Sequence, residues 1–260
     1  MFRKFRQLRK KRKQRKMRNL KVIMAYRGTN YHGFQRQENA ITVQEVVEEK
    51  VSSVLNEKII INGCSRTDTG VHANNYCFSV KTNSLIPTKN FVRGVNGRLP
   101  DDISILSCEE ADDDFHARFS CKAKEYIYRM HCSESKNPFA TDLAYHYRRP
   151  VDIERIRTAA QEFVGTHDFK AFCADSSGKL STIRTIYNFD VVSNGVSVEM
   201  LVKGDGFLYN MIRIMVGTLL MVNEKRIEPS DIKRIIESKD RLQAGNTAQP
   251  HGLYLNRIFY

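Results

Sequence analysis

The sequence predicts an α+β fold made of two successive β-α-β-β-α-β units, each an antiparallel sheet with helices on one face. Three observations carry that prediction. Short apolar or alternating runs of strand length are interleaved with longer stretches of helical spacing. The order of these segments in the first half recurs in the second. Ser193-Asn194-Gly195, a strong hairpin signal, joins two strands within that second half. Units of this order are ferredoxin-like; RNA-binding modules and many unrelated enzymes share them, so the order alone does not name a function.

Residues 20–26 are a short apolar run fit for a strand. Thr42 and Glu45 form a capping-box pattern that starts a helix. Behind it Val43, Val46, Val47, Val51, Val54 and Leu55 recur at helical spacing, so one face is buried. Residues 59–61 and 76–80 read as strands, 88–98 as a helix, and 103–106 as the closing strand. In the second half, 122–130 alternates, with Ala123, Glu125, Ile127 and Arg129 on one face and Lys124, Tyr126, Tyr128 and Met130 on the other. A helix over about 152–164 follows, using Ile153, Ile156, Ala160 and Phe163. Strands at 183–192 and 196–203 flank the hairpin. A long helix from about 207 to 222 buries Leu208, Met211, Ile212, Met215, Val216, Leu219 and Leu220. A short helix at 230–238 and a strand at 253–259 complete the repeat. The units divide as a basic tail at 1–18, a first unit at 19–115 and a second at 116–260.

The net charge of +13 points toward a polyanion, but its placement matters. Residues 1–18 hold eleven Lys/Arg and no acid, which leaves +2 on the rest of the chain. Such blocks are ordinarily disordered and attract polyanions without sequence preference. An RNA-binding arm, an upstream extension ahead of a start at Met17, and a targeting peptide all fit the tail, although it lacks the apolar core and the Ser of a targeting segment. No run approaches the roughly 18 apolar residues that span a bilayer. Cys64, Cys77, Cys108, Cys121, Cys132 and Cys173 form no C-x-x-C pair and no zinc spacing with His, as expected for reduced thiols in the cytoplasm. There is no H-E-x-x-H, Walker loop or helix-opening G-x-G-x-x-G. The chemistry must come from side chains alone.

The densest polar segment is Cys64-Ser65-Arg66-Thr67-Asp68-Thr69-Gly70-Val71-His72-Ala73, on the loop between the second and third strands. On composition alone Asp68 is a solvated turn former, Arg213 a surface arginine on a helix flank, and Tyr126 a core or RNA-stacking aromatic. The pattern R-T-D-x-G-V-H-A at 66–73, however, resembles the signature of the TruA family of tRNA pseudouridine synthases. The resemblance continues in order through 26–37 (Y-R-G-T-N-Y-H-G-F-Q-R-Q), Thr42-Val43-Gln44, 96–102 (N-G-R-L-P-D-D), Phe115-His116-Ala117-Arg118-Phe119, Lys124-Glu125-Tyr126-Ile127-Tyr128, 206–213 (G-F-L-Y-N-M-I-R) and 247–255 (T-A-Q-P-H-G-L-Y-L). It spans about 19–260.

The resemblance implies isomerisation of uridine: the N1–C1′ glycosidic bond breaks, the uracil rotates, and it rejoins through C5, with no metal, redox partner or nucleotide cofactor. Asp68 matches the nucleophilic Asp, a residue type ionised at neutral pH that can form a reversible covalent link. Attack on the sugar, attack on the base and assisted glycal formation all fit that role. Arg213 matches the Arg that pairs with this Asp and aims it. Tyr126 matches the Tyr that stacks on the uracil and is placed to take the C5 proton. Arg66 matches the Arg that enters the space left by the flipped base. His32, His72 and His251 belong to matching motifs and are assigned packing or hydrogen-bonding roles. Asp68 comes from the first unit, Tyr126 and Arg213 from the second, so their meeting requires a cleft between the two. The family also implies a homodimer clamping tRNA, and uridines 38–40 of the anticodon stem-loop as targets. Ser65 stands where the family usually has Gly, Asn74-Asn75-Tyr76 where it has Gly-Gln-Val, and Gln249 where it has Ala or Pro. These departures bear on the substrate, and the same isomerisation on ribosomal or another structured RNA is the nearer alternative. A non-enzymatic tandem RNA-binding protein is the other; it calls for an RNP-type run of Gly and aromatics on a central strand, which the sequence lacks.

Overall fold

The computed structural model describes residues 17–175 and 181–260. Most of the basic tail, residues 1–16, lies outside the described residues, as does the segment 176–180. Arg18, which belongs to the tail by its charge, instead opens the first strand: its Nη1 donates to the carbonyls of Ser84 (2.7 Å) and Ile86 (3.0 Å), and its Nε to Glu110 Oε1 at 2.8 Å.

The first half runs β1 (Arg18–Tyr26), α1 (Val43–Leu55), β2 (Asn62–Gly63), β3 (His72–Thr82), α2 (Thr88–Asn96) and β4 (Ile103–Ala111). The second runs β5 (Ala123–Cys132), β6 (Tyr145–Tyr147), α3 (Ile153–Gln161), β7 (Gly165–Asp168), β8 (Ile183–Asn194), β9 (Ser197–Gly204), α4 (Met211–Asn223), α5 (Asp231–Ser238) and β10 (Leu253–Phe259). The main sheet order is β4-β1-β3-β10-β5-β9-β8-β7, with β2 on β3 and β6 on β5. Each half therefore repeats one arrangement, β4-β1-β3-β2 and β10-β5-β9-β8, the antiparallel order expected of a β-α-β-β-α-β unit.

The two sheets are joined rather than separate. β2 is two residues long and pairs with β3 only at Ser79 and Phe78. The start of β3 is left open, and β10 takes it in parallel at His72 and Ala73 while pairing antiparallel with β5 along its other edge. The cleft thus opens beside a continuous sheet.

Thr42 caps α1 as the sequence predicts, its hydroxyl accepting from the Glu45 N–H at 3.4 Å. The Glu45 carboxylate completes no capping box; it pairs with Arg36 instead. The hairpin between β8 and β9 turns through Gly195 and Val196, Gly195 alone having a positive φ (+62°), the pattern of a II′ turn. Helices cover one face of the sheet. On β9, Val198, Met200 and Val202 are buried while Glu199, Leu201 and Lys203 are only partly covered. Ile156 and Ala160 of α3 and Met215 and Leu219 of α4 are fully buried. Burial of Ile156, Met215 and Leu219 contributes roughly 1.5–3 kcal/mol each relative to exposure.

Candidate functional site

The loop carrying Asp68 is fixed from below. Tyr26 at the end of β1 bonds through its hydroxyl to Thr67 Oγ1 at 2.8 Å, and both residues are buried. The Thr67 carbonyl accepts from the Phe34 N–H at 3.1 Å. Gly33 makes this approach feasible: it has φ +86°, and a Cβ there would sit 2.6 Å from that same carbonyl. The chain then turns over residues 68–71, closed by the Val71 N–H on the Asp68 carbonyl at 3.1 Å, with Gly70 at φ +76° in the third position, as a type II turn requires. The Asp68 carboxylate is left about a quarter exposed.

Arg213, in the first turn of α4, reaches it. Its Nη1 donates to Asp68 Oδ2 at 3.2 Å and to Asn210 Oδ1 at 2.9 Å, and its Nε donates to the Ala248 carbonyl at 2.7 Å. The side chain is 14% exposed. A guanidinium held by three partners on different segments has little freedom, so its fork is pre-aimed at the carboxylate. The structure brings these two predicted residues together across the halves of the chain.

Tyr126 lines the same cleft from β5 and is 5% exposed. Its ring meets Phe207 edge-on at 5.2 Å between centroids. Its hydroxyl is hydrogen-bonded to Ser65 Oγ at 3.1 Å, and Lys124 Nζ donates to the same oxygen at 3.3 Å. Burial pushes the phenol up, so at neutral pH Tyr126 presents an uncharged ring. Arg66 is exposed and borders the cleft next to Asp68. Asp68, Tyr126 and Arg66 therefore line one cleft of about 830 Å³, a volume suited to an extruded nucleotide, and Arg213 reaches it from behind through its bond to Asp68.

The three histidines hold structure together or lie at the surface. His72 Nδ1 accepts from the Gly28 N–H at 2.9 Å, leaving Nε2 to donate to the His251 carbonyl at 3.1 Å. Burial lowers its pKa to about 4, so the ring is neutral, and it ties the first motif, the signature loop and the closing segment together. His251 is also lowered by burial, while His32 is exposed.

Several contributors to the site have roles that their sequence does not signal. Ser65, which replaces the family's usual Gly, supplies the hydroxyl shared by Tyr126 and Lys124. Tyr76, another departure, stacks on Phe34 at 4.3 Å and donates its hydroxyl to the Ser65 carbonyl at 2.5 Å, fixing the segment before Arg66. Asn74 and Asn75 bond to Asn256 of β10, and the Gln249 carbonyl accepts from Tyr128. The altered positions are built into the framework around the cleft. Asn210 and Phe207 lie inside the matching motif at 206–213, yet nothing in their spacing assigns them to Arg213 and Tyr126. Among the described residues, no cluster of His, Cys, Asp and Glu is arranged to hold a metal ion.

The family model described as tRNA pseudouridine synthase matches residues 22–120 and 159–260. A protein of Thermoanaerobacter sp. (strain X514) named tRNA pseudouridine synthase A is 43% identical over 239 residues, covering 92% of this chain and 98% of its own. A Clostridium acetobutylicum protein of the same name is 44% identical over 241 residues, covering 93% and 99%. A Clostridium perfringens protein, tRNA pseudouridine synthase A 2, is 42% identical over 241 residues with the same coverage. Among the described residues no helix is long and apolar enough to cross a membrane.

Proposed function

The chain belongs to the tRNA pseudouridine synthase family, and from that premise we propose that it isomerises uridines 38–40 of the tRNA anticodon stem-loop, with Asp68 as the catalytic nucleophile. The observation that carries this reading is the Arg213–Asp68 pair, at 3.2 Å, whose carboxylate borders a cleft also lined by Tyr126 and Arg66. Arg66 stands at the rim, placed to occupy the gap when the target nucleotide leaves the stack. The uracil enters against the Tyr126 ring, and Asp68 is presented to it by a turn whose backbone bonds leave the carboxylate facing the cleft. Arg213 keeps that carboxylate from reorienting as the glycosidic bond breaks. Removal of the C5 proton is assigned to Tyr126, whose hydroxyl is held at the cleft wall by its hydrogen bond to Ser65 Oγ.

The same reading divides the chain into units at 19–115 and 116–260, each contributing one wall of the cleft, and has the protein act on tRNA in the cytoplasm as a homodimer. The test is pseudouridine-specific chemical probing of a tRNA transcript incubated with the protein. Modification at 38–40 is the expected result. Asp68→Asn is nearly isosteric, so it retains tRNA binding and the fold while turnover falls below about a hundredth of wild type, within the loss typical of removing an essential catalytic group. Turnover above that level removes Asp68 from the role. Modification confined to ribosomal RNA assigns the same chemistry to a different substrate.

A further inference from the structure

Just outside the catalytic residues, the cleft is edged by a turn that the proposed reaction does not use. Ala117 is fully buried, its N–H donating to Ser79 Oγ at 3.2 Å and its carbonyl accepting from the Tyr260 hydroxyl at 2.9 Å. The His116 carbonyl accepts from the Ser120 N–H at 2.9 Å, and His116 Nδ1 from the Arg118 N–H at 3.1 Å. This tightly bonded turn nevertheless presents Phe119 with 75% of its surface exposed. The imidazole of His116 lies 4.4 Å from the Phe119 ring and the Arg118 guanidinium 5.5 Å from it. These contacts orient the ring without covering it. Arg66, Arg118 and Lys124 border the same cleft, a local positive charge around an exposed aromatic.

An exposed side chain by itself calls for no occupant, as Phe139 and Leu242 show; Phe119 differs in lining the cleft among cations, which marks it for one. Its surroundings say which. Cations beside an open ring suit a nucleotide, with phosphate on the guanidinium and base on the ring, and stacking of that kind is how single-stranded nucleic acid is held without sequence preference. Flipping one nucleotide into the cleft also strips its neighbour of a stacking partner. We infer that Phe119 is a stacking platform for the base adjacent to the target uridine, with Arg118 on the intervening phosphate. The inference rests on the proposed function and adds a second nucleotide subsite to it.

The experiment uses the full chain, with Phe119→Ala and Phe119→Tyr, and a tRNA transcript bearing 2-aminopurine on either side of the target uridine. Loss of one base stack weakens transcript binding by about tenfold in Phe119→Ala, whereas Phe119→Tyr stays within about twofold of wild type. 2-Aminopurine on one side is quenched on binding wild type and Phe119→Tyr, and is brighter on Phe119→Ala. Melting temperatures of both variants match wild type, because the ring is exposed. Equal affinity and equal quenching in Phe119→Ala and Phe119→Tyr overturn the platform while wild-type turnover leaves the proposed function standing. If wild type forms no pseudouridine in the transcript, the function and the platform fall together.

Discussion

Arg213 and His72 are each held by partners on separate segments, yet they differ in what those partners secure. Arg213 directs one bond to Asp68 and the others to Asn210 and Ala248, so shortening it to Ala removes the aim of the carboxylate and the tie to the closing segment together. His72 uses both ring nitrogens on backbone groups, which requires the neutral ring, and burial lowers its pKa from 6.5 to about 4. The unfolded chain takes up a proton on this residue below about pH 6.5, whereas the folded protein resists it until about pH 4. Stability present above pH 6.5 is therefore lost as the pH falls through that window, and between pH 7 and 5 this one group accounts for about 2 kcal/mol. Denaturant unfolding at both pH values tests it: His72→Gln starts less stable, and its stability falls by correspondingly less between pH 7 and 5. Parallel pH slopes for wild type and variant would show that the ring takes up its proton as readily in the fold as in the unfolded chain. The residue types are legible in the sequence as motif members. Their partners are not, because most are backbone carbonyls and amides that residue types do not encode.

At the level of elements, α1 and the β8–β9 hairpin follow from capping, periodicity and turn chemistry, whereas two other elements differ for physical reasons. Residues 59–61 have strand composition, but the Ile61 N–H donates to Glu48 Oε1 and the Ile59 N–H to Ser52 Oγ, both from α1. With those donors satisfied by side chains, ladder pairing begins only at Asn62. The helix expected from 207 starts at Met211, because Asn210 takes a left-handed conformation (φ +59°) and Phe207 turns aside to meet Tyr126. Apolar spacing continues through 208–212, so periodicity does not register the break. The short strands β6 and β7 are likewise invisible to it, being too brief for a period to emerge. Farther along α4, Gly217 lets the segment 245–246 cross the helix: a Cβ there would lie 1.7 Å from the Asn246 carbonyl oxygen. That segment leads directly to Ala248, which bonds to the Arg213 carbonyl through its N–H (3.0 Å) and to Arg213 Nε through its oxygen. Gly217→Ala must push the crossing outward, costing about 1–3 kcal/mol as overpacking. It also moves the Arg213 anchor, lowering kcat by about tenfold or more, as small displacements near reacting groups do. Thermal melts and single-turnover rates measured on the same sample check both effects. A destabilised variant with full turnover would show that Arg213 holds its aim without this crossing.

For the whole molecule, the repeated order of strands is readable from the sequence, but the joining of both halves into one sheet is not. It depends on β2 being too short to cover β3, which leaves an edge for a strand nearly two hundred residues away in sequence to fill. That junction brings the closing segment under the signature loop, where His72 bonds to His251. Charge is distributed on the same large scale. Of the net +13, eleven charges lie in residues 1–18, and the rest of the chain is close to balance. Arg18 is committed to Glu110 and to two carbonyls, so the basic side chains left for a polyanion within that segment are those of residues 1–16. If these bind phosphates as an arm, deleting 1–16 so that the chain starts at Met17 weakens RNA binding most at low salt. It also flattens the dependence of log affinity on log salt by roughly 0.7 to 0.9 for each phosphate that the arm no longer neutralises, according to whether the local RNA resembles a single strand or a duplex. The rate on bound substrate is unchanged, because among the described residues Asp68, Tyr126 and Arg213 are held by Ser65, Asn210 and the Ala248 carbonyl and by one another. Filter binding across a salt series, paired with single-turnover rates at saturating enzyme, separates the two effects. Equal salt slopes for full-length and truncated protein would make the tail an inert extension. They would also leave recognition of the RNA to the rim of the cleft, where Arg66, Arg118 and Lys124 supply the local charge.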